Sequence, residues 1–225
     1  MSTLTKRTVI LAWICLLAIS SAVAQKKAEP KPFYTAGYYE GIGLSSKESG
    51  DYYGISIYLV QSANDTFALV TEAPNGSIED PVLVKAKMSG KDMRTIEFTL
   101  PDDNGERKYK GVVTAAGLTT KFLDQKRVLK RSCGKTYSNI STGDGGDVGG
   151  MEVYITDSAG SWFALVSTAE GELGEPVLVP AEVTGKDYNK IAFSLGDRKF
   201  TGTMGNNLTL NEGGTKTVLK GKCYK

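Results

Sequence analysis

Gly50-Asp51-Tyr52-Tyr53-Gly54-Ile55-Ser56-Ile57-Tyr58-Leu59 and, about ninety-five residues later, Gly146-Asp147-Val148-Gly149-Gly150-Met151-Glu152-Val153-Tyr154-Ile155 are two versions of one segment. Each opens on Gly-Asp-x-x-Gly and runs into an apolar stretch that alternates residue by residue. The correspondence continues in order. Phe67-Ala68-Leu69-Val70 returns as Phe163-Ala164-Leu165-Val166, Pro81-Val82-Leu83-Val84 as Pro176-Val177-Leu178-Val179, and Gly90-Lys91-Asp92 as Gly185-Lys186-Asp187. Ile96, Phe98 and Leu100 return as Ile191, Phe193 and Leu195, and Val128-Leu129-Lys130 with Cys133 as Val218-Leu219-Lys220 with Cys223. So many matches in sequence order identify an internal duplication. Tyr39 and Ile42 correspond to Tyr137 and Ile140, which puts the boundary near Lys135: unit 1 is 35–135 and unit 2 is 136–225.

The period inside each unit is two. Ile55, Ile57 and Leu59, then Val82, Val84, Ala86 and Met88, then Ile96, Phe98 and Leu100 alternate with polar or outward residues, and unit 2 keeps the same inward set. Because a one-residue slip would turn the whole set to solvent, alternation kept in both copies marks strands with one buried face. Turn residues punctuate the runs at short intervals, among them Asn75-Gly76, Ala116-Gly117, Gly205-Asn206 and Glu212-Gly213-Gly214. The fold expected is all-β: a tandem duplication of an antiparallel meander of about seven strands per unit, closed as a small barrel or folded as a sandwich. Unit 1's strands are expected near Tyr38–Leu44, Tyr53–Gln61, Thr66–Glu72, Val82–Ser89, Thr95–Leu100, Arg107–Thr114 and Leu118–Arg131, the last splitting if the chain turns at Leu123–Gln125. A barrel of such short strands is narrow and fills with its own side chains. The glycines of the two Gly-Asp-x-x-Gly segments are expected at positive φ.

Residues 1–24 read as a cleaved signal peptide: Lys6 and Arg7, an uncharged apolar run from Thr8 to Ser20, then Ala22-Val23-Ala24. Residues 25–34 read as a polar linker rich in Lys and Pro. The signal accounts for two of the 27 basic residues and none of the 25 acidic ones, so the remaining chain carries 25 of each. Such a neutral chain has no long-range field to gather phosphates, and nucleic acid is not an expected partner. No other segment reads as membrane-spanning. The expected location is periplasmic or extracellular. In an oxidising compartment the two remaining cysteines, Cys133 and Cys223, read as a disulfide. They are the same position in the two copies, so the bond forms only if both lie near the axis relating the units. It closes a loop of about ninety residues, worth roughly 4–5 kcal/mol in the chain-entropy model.

The chain contains no histidine. That removes Ser-His and Cys-His nucleophile pairs and the commonest ligand for transition metals. Ser132 and Lys135 have Ser-x-x-Lys spacing, but Ser132 becomes Lys222 in the second copy. The stretch Gly143 to Gly150 has oxygen ligands on a glycine-rich turn, yet lacks the spaced acids of a calcium loop. No cofactor and no metal site is expected. Carboxylates are expected mostly at turns and on outer strand faces. Tyrosines gather early, and only Tyr39 and Tyr58 have tyrosine counterparts, Tyr137 and Tyr154. These pairs read as structural. Tyr38, Tyr52 and Tyr53 read as a special surface of unit 1, because exposed aromatics make platforms for sugars or anchors for proteins. The basic residues Lys126, Arg127, Lys130 and Arg131 read as guards of an exposed strand. The expected function is a non-catalytic binding or structural module with a protein or polysaccharide partner. A carboxylate-dependent hydrolase with a cleft between the units, and a carrier of a small apolar ligand, are the alternatives.

Overall fold

Each unit closes on itself as an eight-stranded antiparallel barrel. The structure, a computed structural model, describes residues 35–45, 49–102 and 105–224. The segments read as signal peptide and linker, 1–24 and 25–34, lie outside the described residues. Barrel 1 comprises β1 (Gly37–Glu40), β2 (Gly43–Leu44), β3 (Tyr52–Gln61), β4 (Thr66–Gly76), β5 (Val82–Ser89), β6 (Thr95–Asp102), β7 (Gly105–Thr114), β8 (Gly117–Phe122) and β9 (Gln125–Ser132). Barrel 2 comprises β10 (Lys135–Ser138), β11 (Ser141–Thr142), β12 (Val148–Ser158), β13 (Ser161–Leu173), β14 (Val177–Thr184), β15 (Lys190–Leu195), β16 (Arg198–Met204), β17 (Asn207–Glu212) and β18 (Thr215–Lys222). Successive strands pair as hairpins from β3 to β9. β1 then closes the ring by pairing with both β9 and β3, while the two-residue β2 adds to β3. Barrel 2 repeats this order, with β10 bridging β18 and β12.

Of barrel and sandwich, the barrel is therefore the architecture, and the split of the last run brings the seven expected strands to the eight of each barrel. The chain turns at Leu123 and Asp124, both at positive φ, so the long last run splits into β8 and β9. The glycines of the duplicated opening segment do adopt positive φ: Gly50 69°, Gly54 133°, Gly146 89° and Gly150 117°. At Gly54 a Cβ would also collide with the carbonyl oxygen of Gly41.

Period-two alternation places most of the expected residues inside; Val177, expected inward at the start of β14, is instead 45 % exposed. Ile55, Ile57, Leu59, Ile96, Leu118, Phe122 and Leu129 have under 2 % of their surface exposed in barrel 1. Met151, Val153, Ile155, Ile191, Phe193, Leu208, Leu210 and Leu219 form the core of barrel 2. Tyr39 and Tyr137 are buried as well, and their hydroxyls donate to the carbonyls of Thr35 (2.7 Å) and Gly205 (3.2 Å). Both interiors are filled with side chains.

A second apolar cluster comes from outward-facing residues. Tyr58, Val60, Phe67 and Leu69 from β3 and β4 meet Tyr154 and Leu165 from β12 and β13, with Tyr38, Leu83, Leu178 and Tyr224 at the margin. This is the junction between the barrels, and it explains why β3 is buried without interruption from Gly54 to Val60. Equivalent residues meet equivalent residues there. Cys133 and Cys223 are disulfide-bonded, with their Cα atoms 4.9 Å apart. The connecting loops reciprocate: buried Ser158 donates to the Ile78 carbonyl (3.2 Å), and the Ala63 amide donates to the Leu173 carbonyl (2.9 Å). The two barrels are thus related by a pseudo-twofold axis that passes close to the disulfide.

Candidate functional site

Because the two barrels share one fold, each is a control for the other. Where barrel 1 carries chemistry that barrel 2 lacks at the same position, the fold does not demand it. Such positions concentrate at one rim of barrel 1 and along the flank beside it.

At that rim β3 begins, β4 and β6 end and β7 begins, as the pairings Tyr52–Gly76 and Leu100–Arg107 fix. Glu72 lies in phase with Ala68 and Val70 on β4 and so points into the barrel, where it is 6 % exposed. Tyr109, in phase with Gly111 and Val113, points in from β7 and donates its hydroxyl to the Glu72 carboxylate. Arg107 stands 3.3 Å from Glu72, donates to the Tyr109 oxygen at 3.1 Å, and reaches Asp102 on the rim at 3.2 Å. Burial pushes the Glu72 carboxyl above its ordinary value, while the Tyr109 hydrogen bond and the Arg107 charge pull it part of the way back. Burial and the adjacent carboxylate both push the Tyr109 phenol far up. A cavity of about 290 Å³ opens beside this trio, lined by Glu79, Asp80 and Asp102 as well as Glu72 and Arg107. Its wall is the loop after β4, which the Asp80 carboxylate ties to Ser158 of barrel 2 (3.1 Å).

In barrel 2 the register puts Thr168 in place of Glu72 and Phe200 in place of Tyr109. Arg198 replaces Arg107 but turns to the surface, where it forms a bidentate pair with Glu212 at 2.5 and 2.8 Å. The polar interior of the barrel 1 rim is therefore an addition to a scaffold that closes without it.

The flank has a second departure. β5 and β6 pair only through Ala86–Ser89 and Thr95–Phe98. Beyond these, Val82–Lys85 and Thr99–Asp102 have no ladder partners across the seam among the described residues. A groove of about 860 Å³ lies over this seam. Val84, Ala86 and the stacked pair Phe98 and Tyr109 (5.1 Å between centroids) line its floor, and Lys85, Lys87, Lys108 and Lys110 line its sides. Barrel 2 opens at the same place, between β14 and β15, in a groove of about 640 Å³ with an equivalent floor. Its sides differ: Pro180, Glu182 and Thr201 occupy the positions of Lys85, Lys87 and Lys110, and Lys199 alone is basic.

The three tyrosines read from the sequence do not form one surface. Tyr38 is half-buried at the barrel junction, its ring 5.8 Å from that of Tyr154. Tyr52 and Tyr53 lie at the rim that carries Glu72 and Arg107. Tyr52 is 42 % exposed. Tyr53 packs edge-on against Phe122 at 5.3 Å, with the Arg127 guanidinium 5.0 Å from its ring centre. In barrel 2, Gly149 and Glu212 stand at the positions of Tyr53 and Phe122. The acids expected mostly at turns and on outer faces have one inward exception, Glu72, while Glu152 lies on the outer face of β12 but is buried there by the junction. Phase along the strand would have revealed Glu72, since it continues the inward column of Ala68 and Val70. Lys135 of the Ser-x-x-Lys pair lies over the Trp162 ring at 4.7 Å. Among the described residues no group of three or more potential metal-ligating side chains forms, and no helix is long and apolar enough to cross a membrane.

No protein-family model, curated protein or solved structure matches this chain.

Proposed function

We propose that this chain is an exported, non-catalytic binding module in which barrel 1 carries the binding face and barrel 2 is its structural partner. One observation carries the reading. At equivalent positions of the two groove walls, barrel 1 has three lysines where barrel 2 has Pro180, Glu182 and Thr201. A disulfide between the units suits an oxidising compartment. The seam floor is apolar and its sides polar, as in surfaces that bind by shape and charge together. Catalysis has little to draw on. There is no histidine, and Glu72 is engaged by both Tyr109 and Arg107.

The test is affinity capture from envelope extracts on the immobilised protein, beside a Lys87→Glu/Lys108→Glu variant and a Lys199→Glu variant. The reading expects a retained partner that the barrel 1 variant releases and the barrel 2 variant keeps. Retention that is insensitive to both, or equally lost in both, removes barrel 1 from that role.

A second reading, a carboxylate-dependent hydrolase, is favoured by the cavity lined by Glu72, Glu79, Asp80 and Asp102 together with the raised pKa of Glu72. It requires two carboxyl groups about 5–10 Å apart acting on a glycosidic bond. Release of reducing ends from a polysaccharide panel, lost in Glu72→Gln, is its signature. The carrier reading has the weakest support, because both barrel interiors are occupied by their own side chains.

A further inference from the structure

We infer that the β5 edge at the barrel 1 seam accepts an extended, acidic peptide segment of a partner protein, which adds to it as a further strand. The inference rests on the reading of barrel 1 as the binding half and names the chemistry of its partner. An unpaired strand edge presents a row of backbone donors and acceptors, and an extended peptide satisfies it through main-chain hydrogen bonds while alternate side chains give specificity.

Four features fix the occupant. First, the ladder between β5 and β6 stops at Ala86 and Phe98, so the β5 edge from Val82 to Lys85 has no partner across the seam, and Val84 and Lys85 of it line the groove. Second, prolines tell the edges apart. A proline within a strand is tolerated where its missing donor faces away from the ladder it makes. Pro101 pairs with Glu106 on β7, so it takes a donor from the β6 side of the seam. Pro180 pairs with Phe163 and takes one from the β14 edge in barrel 2. Lys85, which pairs with Phe67 at the position of Pro180, keeps its donor. Within the barrel 1 seam, the β5 edge is thus the one no proline interrupts, and in barrel 2 the corresponding β14 edge carries Pro180. Third, the wall alternates. Val84 and Ala86 face the floor and Lys85 and Lys87 face out, so an added strand needs small apolar residues alternating with outward charges. Fourth, the charge is basic. Lys85 pairs with Asp65 and Glu175, and Lys110 with Glu97, whereas Lys87 and Lys108 have no salt bridge among the described residues. They would meet acidic side chains. Barrel 2, with the same opening, has a proline on the corresponding edge and an acid beside it, which makes it the built-in negative case.

The probe is an acetylated and amidated octapeptide of alternating valine and glutamate, titrated into the protein by calorimetry and followed by amide hydrogen exchange. Saturable binding is expected, with exchange slowed by about tenfold or more at Leu83 and Lys85 and unchanged at the β14 edge. The same peptide N-methylated at alternate residues should bind at least about tenfold more weakly. Lys85→Pro copies the residue barrel 2 already tolerates and should abolish binding. Lys87→Glu/Lys108→Glu, which leaves the backbone edge intact, should weaken it and flatten its salt dependence. No binding of the octapeptide, or equal binding of its N-methylated form, overturns the inference. So does polygalacturonate binding at the lysines without slowing Leu83 and Lys85, a result that would still leave barrel 1 as the binding half. If barrel 1 is not the binding half at all, the capture experiment fails for both lysine variants irrespective of the peptide.

Discussion

Tyr58 and Tyr154, the same residue of the two copies, stack face to face across the barrel junction, with ring centroids 4.1 Å apart and planes 5° from parallel. The Tyr58 hydroxyl donates to Glu152 (3.1 Å), which also takes bonds from Tyr224 (2.7 Å) and Lys222 (3.0 Å). Tyr58→Ala removes a buried ring and its partner's contact together, so it should cost roughly 3–5 kcal/mol in chemical denaturation. Tyr58→Phe keeps the stack and should cost only about 1 kcal/mol, because Glu152 retains two other donors. Equal losses for the two variants would mean that the hydroxyl, not the stack, holds the junction.

Reduction of the Cys133–Cys223 bond opens a loop of 90 residues. Stability should fall by roughly 2–5 kcal/mol. The same loss is expected of Cys133→Ser, measured by denaturant midpoints with and without reductant. A midpoint unchanged by reductant would show that the apolar junction suffices alone.

Glu72 gives a pH signature. Its carboxyl is raised in the folded chain by burial, so the native state binds its proton more readily than the unfolded state does. The stability this group contributes is present below the ordinary carboxylate value and is lost as pH rises through the higher folded value. Glu72→Gln should flatten that fall and leave the protein at least as stable near neutral pH. Stability that instead rises over this window in the native chain but not in Glu72→Gln would reverse the assignment.

The two equivalent arginines should behave differently. Arg198 forms an exposed pair with Glu212, and Arg198→Ala should cost under about 1 kcal/mol. Arg107→Ala leaves the buried Glu72 charge with Tyr109 alone, so it should cost several-fold more, roughly 3 kcal/mol, above the Glu72 titration and less below it. Paired melts at low and neutral pH separate the two.

How much of this was legible beforehand follows from what repetition encodes. The duplication, the period-two strands, the glycine turns and the Cys133–Cys223 pair were all readable, because each is written twice or admits only one partner. Closure was not, since a meander's pattern is the same whether its first strand meets its last or lies in a sandwich. Nor was the junction. Tyr58 and Leu69 sit on outward columns and look like surface residues until a second barrel covers them. Tyr52 and Tyr53 were singled out by their lack of counterparts, and the same comparison applied to Glu72 against Thr168, or Lys85 against Pro180, points to the rim and the seam. Tyr38 lies at the junction, and its counterpart there by register is the smaller, buried Thr136, so the absence of a matching tyrosine does not by itself mark a free surface.

The self-paired contacts carry a historical consequence. In an isologous association each residue on the axis touches its own image. Tyr58 with Tyr154 and Cys133 with Cys223 are such images, now joined in one chain only two residues before β10 begins. A half-length ancestor with one tyrosine and one cysteine at these places would have assembled as a covalently tied homodimer. End-to-end fusion of two such copies would hold the same contacts within one chain, where the two halves need no longer be identical.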